Sequence, residues 1–149
     1  MRKSLNAFLL LSCLWACSSN DTINPTGSYV LKAKELEGGE KGPHGELQVK
    51  LLDKNTAAIS FFLTVGYPSY NSGSFVDTLT YQEGKIVYSY QEEGEPKCSV
   101  TFTFTDSQVS MKQAGSDMEC GFGNGVYADV SMTKTSSGIP VIKDYWDQL

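Results

Sequence analysis

Residues 98–105 (CSVTFTFT) alternate strictly between apolar and polar side chains. This period of two is typical of a β-strand that has one face buried and the other in water. A two-residue turn directly after the run places Phe104 opposite Val109. The next inward pair across the hairpin is then Phe102 and Met111. Apolar residues meet apolar residues in this register, whereas a one-residue slip would expose them, so the segment predicts an antiparallel hairpin.

The same alternation recurs along most of the chain, with turn-forming residues between the runs. A turn at 82–84 places Tyr81 against Ile86, and it places Leu79 against Tyr88. Short strands joined mostly by short turns predict an all-β fold, an eight-stranded antiparallel up-and-down barrel whose closure removes exposed strand edges. A β-sandwich is the alternative, because periodicity does not separate the two. The predicted strands are 27–34, 46–52, 57–64, 74–81, 85–91, 98–105, 108–113 and 125–133.

The N-terminal residues form a different kind of segment. Two basic residues follow Met1, and then come ten residues, AFLLLSCLWA (7–16), in which only Ser12 is strongly polar. A helix that crosses a bilayer needs about 20 apolar residues, so this run is too short for a stable span. A positive start, a short apolar stretch and a small residue at its end predict a secretory signal peptide at 1–16.

The end of this leader, LWAC (14–17), resembles the lipobox of bacterial lipoproteins. The resemblance implies cleavage before Cys17 and acylation of that cysteine, and two or more acyl chains hold a protein stably on a membrane. It also implies the outer membrane as destination, because Ser18 is not an aspartate. Cys13 is the alternative acylated residue. The polar stretch 17–26 is predicted to be a tether for a domain that faces the periplasm or the cell surface.

The charge of the chain limits its partners. Removal of the leader takes away Arg2 and Lys3, so 12 basic residues fall to 10 against 17 acidic ones, and the net charge changes from −5 to −7. No arginine then remains. Recognition of nucleic acids and phosphates relies on arginine and on positive patches, so neither partner is expected. An acidic surface speeds association with cations, which favours a cationic protein partner.

Two further cysteines, Cys98 and Cys120, lie in the predicted domain. In the hairpin register Cys98 lies opposite Gly115, and Cys120 follows closely in the next loop. An oxidising compartment favours a disulfide between them, worth about 3 kcal/mol in the chain-entropy model. The single histidine, His44, is in a separate glycine-rich loop, so neither a cysteine nucleophile nor a zinc site is expected. We therefore predict no enzymatic activity, no cofactor and no metal.

The glycine-rich loop CGFGNGV (120–126) resembles a phosphate-binding loop only in composition. Phosphate-binding loops follow a strand and open a helix, whereas this loop leads into a predicted strand. We expect a tight loop that places Phe122 at the end of the barrel. Asp117, Glu119 and Asn124 nearby offer oxygen ligands for Ca²⁺, but without a recognised spacing.

The last residues break the pattern of two. In IPVIKDYWDQL (139–149), four large apolar residues recur at the spacing of one helix face. This spacing predicts a short amphipathic helix within a tail at 135–149, which follows a barrel domain at 27–134. Because such a short helix is marginal alone, we expect it to pack against the wall or the end of the barrel. The four residues are Ile142, Tyr145, Trp146 and Leu149.

The segment GYPSYNSGS (66–74) is the most informative loop for function. Tyrosine among small polar residues is typical of adaptable recognition loops, because its rigid ring supplies contact area with little loss of entropy. We therefore predict that Tyr67, Tyr70, Asn71 and Ser72 bind a partner. An ordinary loop with two partly buried tyrosines is the alternative.

Two resemblances extend this interpretation. The run CSVTFTFT followed by CGFGNGVYADVSM resembles the C-terminal half of a group of small bacterial envelope lipoproteins of unassigned activity. A lipobox, a small antiparallel barrel, one disulfide and the loop SGSF (72–75) together resemble periplasmic lysozyme inhibitors. That resemblance implies an inhibitor or immunity factor for a cell-wall hydrolase such as lysozyme. A lipocalin-like carrier of a small apolar ligand and a structural envelope lipoprotein are the alternatives.

Overall fold

Eight antiparallel strands follow one another in the computed structural model, which describes residues 23–91 and 98–148. Each strand pairs with the next along the chain, and the last pairs with the first, so the sheet closes into a barrel. The predicted up-and-down barrel is confirmed, and the sandwich alternative is wrong. The strands are β1 (Gly27–Leu31), β2 (His44–Asp53), β3 (Thr56–Thr64), β4 (Ser72–Gln82), β5 (Lys85–Tyr90), β6 (Cys98–Phe104), β7 (Gln108–Ala114) and β8 (Ser131–Ser136).

The hairpin of β6 and β7 has the register predicted from its alternation. Phe104 pairs with Val109, and Phe102 pairs with Met111. All four side chains are buried, and Phe102 and Val109 have no exposed surface. The apolar face of the hairpin therefore fixes which residues pair, as expected when one face of a sheet is buried.

The hairpin of β4 and β5 also begins as predicted, with Tyr81 opposite Ile86. Its two turn residues, Glu83 and Gly84, have positive φ angles of 50° and 77°. A two-residue turn with this twist requires positive φ at both positions, and glycine adopts it without a steric penalty.

Beyond that pair, β4 and β5 separate. Only two residue pairs join them in the described part of the chain, so the predicted pairing of Leu79 with Tyr88 is wrong. Tyr88 instead stacks flat on Phe75, with ring centroids 3.8 Å apart and planes 8° from parallel. A shallow groove of about 550 Å³ lies on the outside of this seam.

Aromatic rings fill the interior of the barrel. The ring of Phe61 lies 5.2 Å from that of Phe75, 5.8 Å from that of Phe102 and 6.0 Å from that of Phe122. An eight-stranded barrel is just wide enough for its inward side chains to fill it. The fully buried large side chains are Tyr29, Tyr81, Phe61, Phe102, Phe104, Leu47, Ile59, Ile86, Met132, Val49, Val100 and Val109.

The last strand lies further along the chain than predicted. Residues 125–133 were expected to form it, but β8 begins only at Ser131. Just before that point Met111 N still donates to Val130 O at 2.8 Å, but the next bonds use side chains. Ala128 N donates to Gln113 Oε1 at 2.8 Å, and Gln113 N donates to Asp129 Oδ1 at 2.8 Å. The bond from Gln113 also lowers the pKa of Asp129. Residues 126–129 alternate between buried and exposed although they do not form a strand, which is why the sequence pattern predicted one there.

The C-terminal tail is not the helix predicted for 139–149. Among its described residues, 135–148, the one helical element is a 3-10 turn, Tyr145–Gln148. Ser60 Oγ donates to Lys143 O at 2.7 Å, and the ring of Tyr145 stacks on that of Phe62 with centroids 3.6 Å apart. These two contacts hold the tail on the outer wall of β3, so its predicted packing against the barrel wall is confirmed.

Two residues of the predicted helix face are not part of this description. The side chain of Trp146 and the whole of Leu149 lie outside the described residues. Ile142 is partly buried, in the irregular part of the tail that precedes the 3-10 turn. The helical spacing of the four apolar residues therefore does not reflect a helix, because most of the described tail is not helical.

The two ends of the barrel differ. At one end, which we call the tight-turn end, short turns follow β2, β4 and β6. At the other, which we call the loop end, the chain makes longer connections after β1, β3, β5 and β7. The loop end therefore carries most of the residues that are free to vary without disturbing the strands.

Residues 23–26, which were predicted to belong to the tether, pack at the tight-turn end. Tyr29 OH donates to Pro25 O at 2.7 Å, and Leu51 N donates to Thr26 Oγ1 at 3.1 Å. The chain is thus part of the barrel from residue 23 onward. Residues 1–22, with the predicted signal peptide and Cys17, lie outside the described residues, as do 92–97.

Candidate partner-binding surface at the loop end

Tyr67 and Tyr70 lie side by side in the loop between β3 and β4. Their side chains are 51% and 48% exposed, and their rings meet edge to face with centroids 6.5 Å apart. Tyr70 N donates to Gly66 O at 2.7 Å, which closes the loop into a tight turn. Two predicted site residues are therefore brought together with both rings displayed to solvent.

A backbone contact fixes this turn against the loop between β1 and β2. Tyr67 N donates to Lys41 O at 2.8 Å. The two backbones approach so closely that a Cβ added at Gly66 would lie 2.3 Å from Lys41 O. The position of the tyrosines is therefore set by main-chain contacts on both sides of the turn.

Asn71 and Ser72, the other two predicted site residues, connect the turn to the loop between β7 and β8. Asn71 Nδ2 donates to Asn124 O at 2.8 Å, and Gly123 N donates to Ser72 O at 2.9 Å. Their polar groups thus hold one loop against another. The structure assigns these two residues a supporting position beside the tyrosines.

The connection from β7 to β8 is organised by Asp117, whose side chain is only 6% exposed. Its Oδ1 accepts from Met118 N at 2.9 Å, and its Oδ2 accepts from Gly125 N. Glu119 Oε2 accepts from Ser116 N at 2.6 Å. Both carboxylates that were considered as Ca²⁺ ligands therefore bond to main-chain N–H groups. In the described residues, no three acidic, histidine or cysteine side chains group as metal ligands do.

The predicted disulfide between Cys98 and Cys120 is present, with Cα atoms 5.0 Å apart. It attaches the same connection to the first residue of β6. Phe122, two residues further on, is 4% exposed and closes the end of the barrel, as predicted. Gly73 is required opposite its ring, because a Cβ there would lie 2.4 Å from Phe122 Cδ1.

Two exposed residues of the loop end were missed in the sequence. Tyr127 is 50% exposed and Met118 is 69% exposed. Tyr127 borders an apolar cleft of about 160 Å³, which Pro43 and Val65 also line. Tyr127 occupies an outward position in the alternation of GVYADV, and that position, next to a glycine-rich loop, was the available signal.

His44 lies on the outer wall and not beside the cysteines. Its Nδ1 is 2.9 Å from Gly42 O, and its ring is 6.4 Å from that of Phe62. Both cysteines of the domain are held in the disulfide. The described residues therefore bring no thiol and imidazole together, which is the arrangement that a cysteine nucleophile needs.

No family model, no curated protein and no solved structure matches this chain. Within residues 23–91 and 98–148, none of the helices has the length and apolar character that crossing a lipid bilayer requires.

Proposed function

We propose that this chain is a lipid-anchored, non-catalytic binding protein of the bacterial envelope, and that its loop end binds and inhibits a cationic cell-wall hydrolase. The observation that carries the proposal is the pair of half-exposed tyrosines, Tyr67 and Tyr70, fixed by contacts from two neighbouring loops.

Rigid display is what makes these tyrosines suitable for binding. A residue that is already ordered loses little conformational entropy when a partner covers it. Tyrosine is also enriched among the residues that dominate binding energy, since it buries a large ring and keeps a hydroxyl for hydrogen bonding. Tyr67 and Tyr70 lie in an ordered turn and expose about half of their surface. Tyr127 and Met118 add further exposed apolar surface at the loop end.

The charge of the chain favours a basic partner. Its 17 acidic residues outnumber its 12 basic ones. Such an imbalance steers a cationic protein toward the domain and raises the association rate, an effect that salt weakens. Cell-wall hydrolases of the lysozyme class match this chemistry, in line with the resemblance to lysozyme inhibitors.

The packed interior favours a protein partner over a small apolar ligand. A carrier of the lipocalin type needs a cavity inside its barrel, whereas Phe61, Phe75, Phe102 and Phe122 occupy that space here. Anchoring through Cys17 and the lack of catalysis complete the proposal. The latter is supported by the disulfide-bonded cysteines and by the distant His44.

Capture of a hydrolase tests this proposal. A protein comprising residues 21–149 is expressed in a bacterial periplasm so that the disulfide between Cys98 and Cys120 forms. It is immobilised and exposed to a panel of purified lysozymes and peptidoglycan hydrolases. We expect nanomolar capture of a basic member. The double variant Tyr67→Ala/Tyr70→Ala should weaken that binding at least about 100-fold, as loss of two central aromatic contacts does. Its thermal midpoint should change little, because both side chains are half-exposed.

A matched control is available on the barrel wall. Val76 and Val87 are 44% and 49% exposed, so their exposed fractions are similar to those of the two tyrosines. They lie on β4 and β5, away from the loop between β3 and β4. The variant Val76→Ala/Val87→Ala should bind like the parent. Absence of capture across the panel, or equal binding by the folded tyrosine variant, would contradict the proposal.

A further inference from the structure

Three exposed aliphatic side chains lie at the tight-turn end or in the tail that leaves it. Leu52 is 50% exposed and sits one residue before the end of β2. Ile139 and Val141 are 74% and 72% exposed. They lie in the segment that leaves β8 at Ser136 and reaches the outer wall of β3 at Lys143. Large exposed apolar side chains are candidates for contact with something apolar, and each of these three is at least half exposed.

The N-terminal chain enters the barrel at the same end. Tyr81 OH donates to the carbonyl of Ile23, and Lys134 Nζ donates to Asn24 O at 3.1 Å. The side chain of Ile23 also lies against the turn between β4 and β5, because a Cβ on Gly84 would be 3.5 Å from Ile23 Cδ1. Whatever precedes residue 23 therefore joins the domain at the tight-turn end.

The distance to the proposed anchor is short. Cys17 precedes Ile23 by six residues. A fully extended chain spans at most about 3.5 Å per residue, so the acylated cysteine would lie within about 20 Å of Ile23. The nine residues of β3 run about 30 Å. With a usual strand tilt, the barrel measures about 20–25 Å from end to end along its axis.

We infer that the tight-turn end rests on the membrane surface, with Leu52, Ile139 and Val141 in contact with the lipid interface, and that the loop end projects away from it. The inference rests on the proposed acylation of Cys17. In this orientation the exposed Leu52 of the tight-turn end faces lipid, and the exposed tyrosines of the loop end face a protein partner. The partner would then bind about one barrel length above the bilayer.

Charge at this end gives no preference for anionic lipid. The turns there carry Asp53, Lys54, Glu83 and Asp106, and Lys85 and Lys134 lie beside them. These three acidic and three basic residues balance. A balanced surface gains little from the negative potential of anionic headgroups. We therefore expect the same orientation on zwitterionic and on anionic vesicles, which separates apolar contact from electrostatic attraction.

The test measures which end of the full-length acylated protein lies near the bilayer. The chain has two tryptophans, Trp15 in the predicted leader and Trp146. In a Trp146→Phe background, tryptophan is introduced as Leu52→Trp or, as the matched control at the loop end, as Tyr70→Trp. Each protein is purified from membranes and reconstituted into phosphatidylcholine vesicles with or without brominated acyl chains, which quench tryptophan within a few ångströms.

We expect brominated lipid to reduce the fluorescence of Leu52→Trp at least about twofold and to leave that of Tyr70→Trp nearly unchanged. The same values should hold when a third of the lipid is phosphatidylglycerol. Equal quenching at both positions, or stronger quenching at position 70, would overturn the inference. Circular dichroism and thermal melting of each variant verify the fold.

Mass spectrometry of the N-terminal peptide separates this inference from the proposal on which it rests. If Cys17 carries acyl chains and position 52 is not quenched, the orientation is wrong and the anchoring stands. If the purified protein carries no acyl chain, both fail, whereas the hydrolase-binding assay on residues 21–149 still tests the loop end.

Discussion

The buried carboxylate of Asp117 holds together the connection between β7 and β8 at the loop end. It accepts hydrogen bonds from Met118 N and Gly125 N and so closes the loop that supports Asn71. Asp117→Ala would leave two main-chain donors unsatisfied. We expect a loss of about 1–3 kcal/mol in the free energy of unfolding, measured by urea denaturation.

The exposed Asp106, in the turn after β6, provides the control. Asp106→Ala should change the free energy of unfolding by less than about 0.5 kcal/mol, as substitutions at exposed positions usually do. Equal stability of the two variants would show that Asp117 does not organise the loop.

The buried hydroxyl of Tyr29 should make the stability of the protein depend on pH in the alkaline range. Burial, together with the charge that Tyr81 can acquire, raises the pKa of Tyr29 from 10.0 to about 12. Between these values the folded protein keeps a proton that the unfolded chain loses, so stability is full below pH 10 and falls as the pH rises toward 12. The thermal midpoint of Tyr29→Phe should therefore fall less steeply between pH 10 and 12 than that of the parent. Parallel curves would contradict this assignment.

At the residue scale, the sequence showed which loop carries the tyrosines but not what holds them. Composition alone identified Tyr67, Tyr70, Asn71 and Ser72. The bond from Asn71 to Asn124 joins residues 53 positions apart, and no local pattern encodes such a contact. The structure therefore divides the four residues into two that are displayed and two that support them.

At the scale of elements, prediction succeeded where one face of a strand is buried and failed where side chains replace the ladder. The register of β6 and β7 followed from the pairing of Phe102 and Phe104 with their partners. The segment before β8 alternates in the same way but is bonded through Gln113 and Asp129. Periodicity reports which face is buried, and it does not report which atoms make the hydrogen bonds.

The disulfide is the element that ties the loop after β7 to the barrel. Cys98→Ala/Cys120→Ala opens a link between residues 22 positions apart. In the chain-entropy model this should lower the free energy of unfolding by about 3 kcal/mol. Urea denaturation of the double variant and of the reduced parent should agree. Unchanged stability in both would show that the loop is held without the bond.

At the scale of the molecule, closure and filling of the barrel limit what it can hold. The described interior is occupied by aromatic and aliphatic side chains from every strand. We therefore expect native mass spectrometry of the purified domain to give the mass of the polypeptide alone. A retained lipid or other small molecule would favour the carrier hypothesis.

The fold class was predictable from the sequence because eight alternating runs with short turns have few ways to bury their apolar faces. The packing of residues 23–26 and of the tail against the barrel could not be predicted from the sequence. Those contacts come from single carbonyl and aromatic groups, such as those of Pro25 and Phe62.

Inhibition of a cell-wall hydrolase by the domain is the decisive property to measure. The rate of peptidoglycan hydrolysis by a basic lysozyme is measured while the oxidised domain is added in steps, at low and at physiological salt. We expect a stoichiometric loss of activity at one domain per enzyme, with slower onset at higher salt, and no such loss with the Tyr67→Ala/Tyr70→Ala variant. Full hydrolase activity at a large excess of the folded domain, for every basic hydrolase assayed, would contradict it.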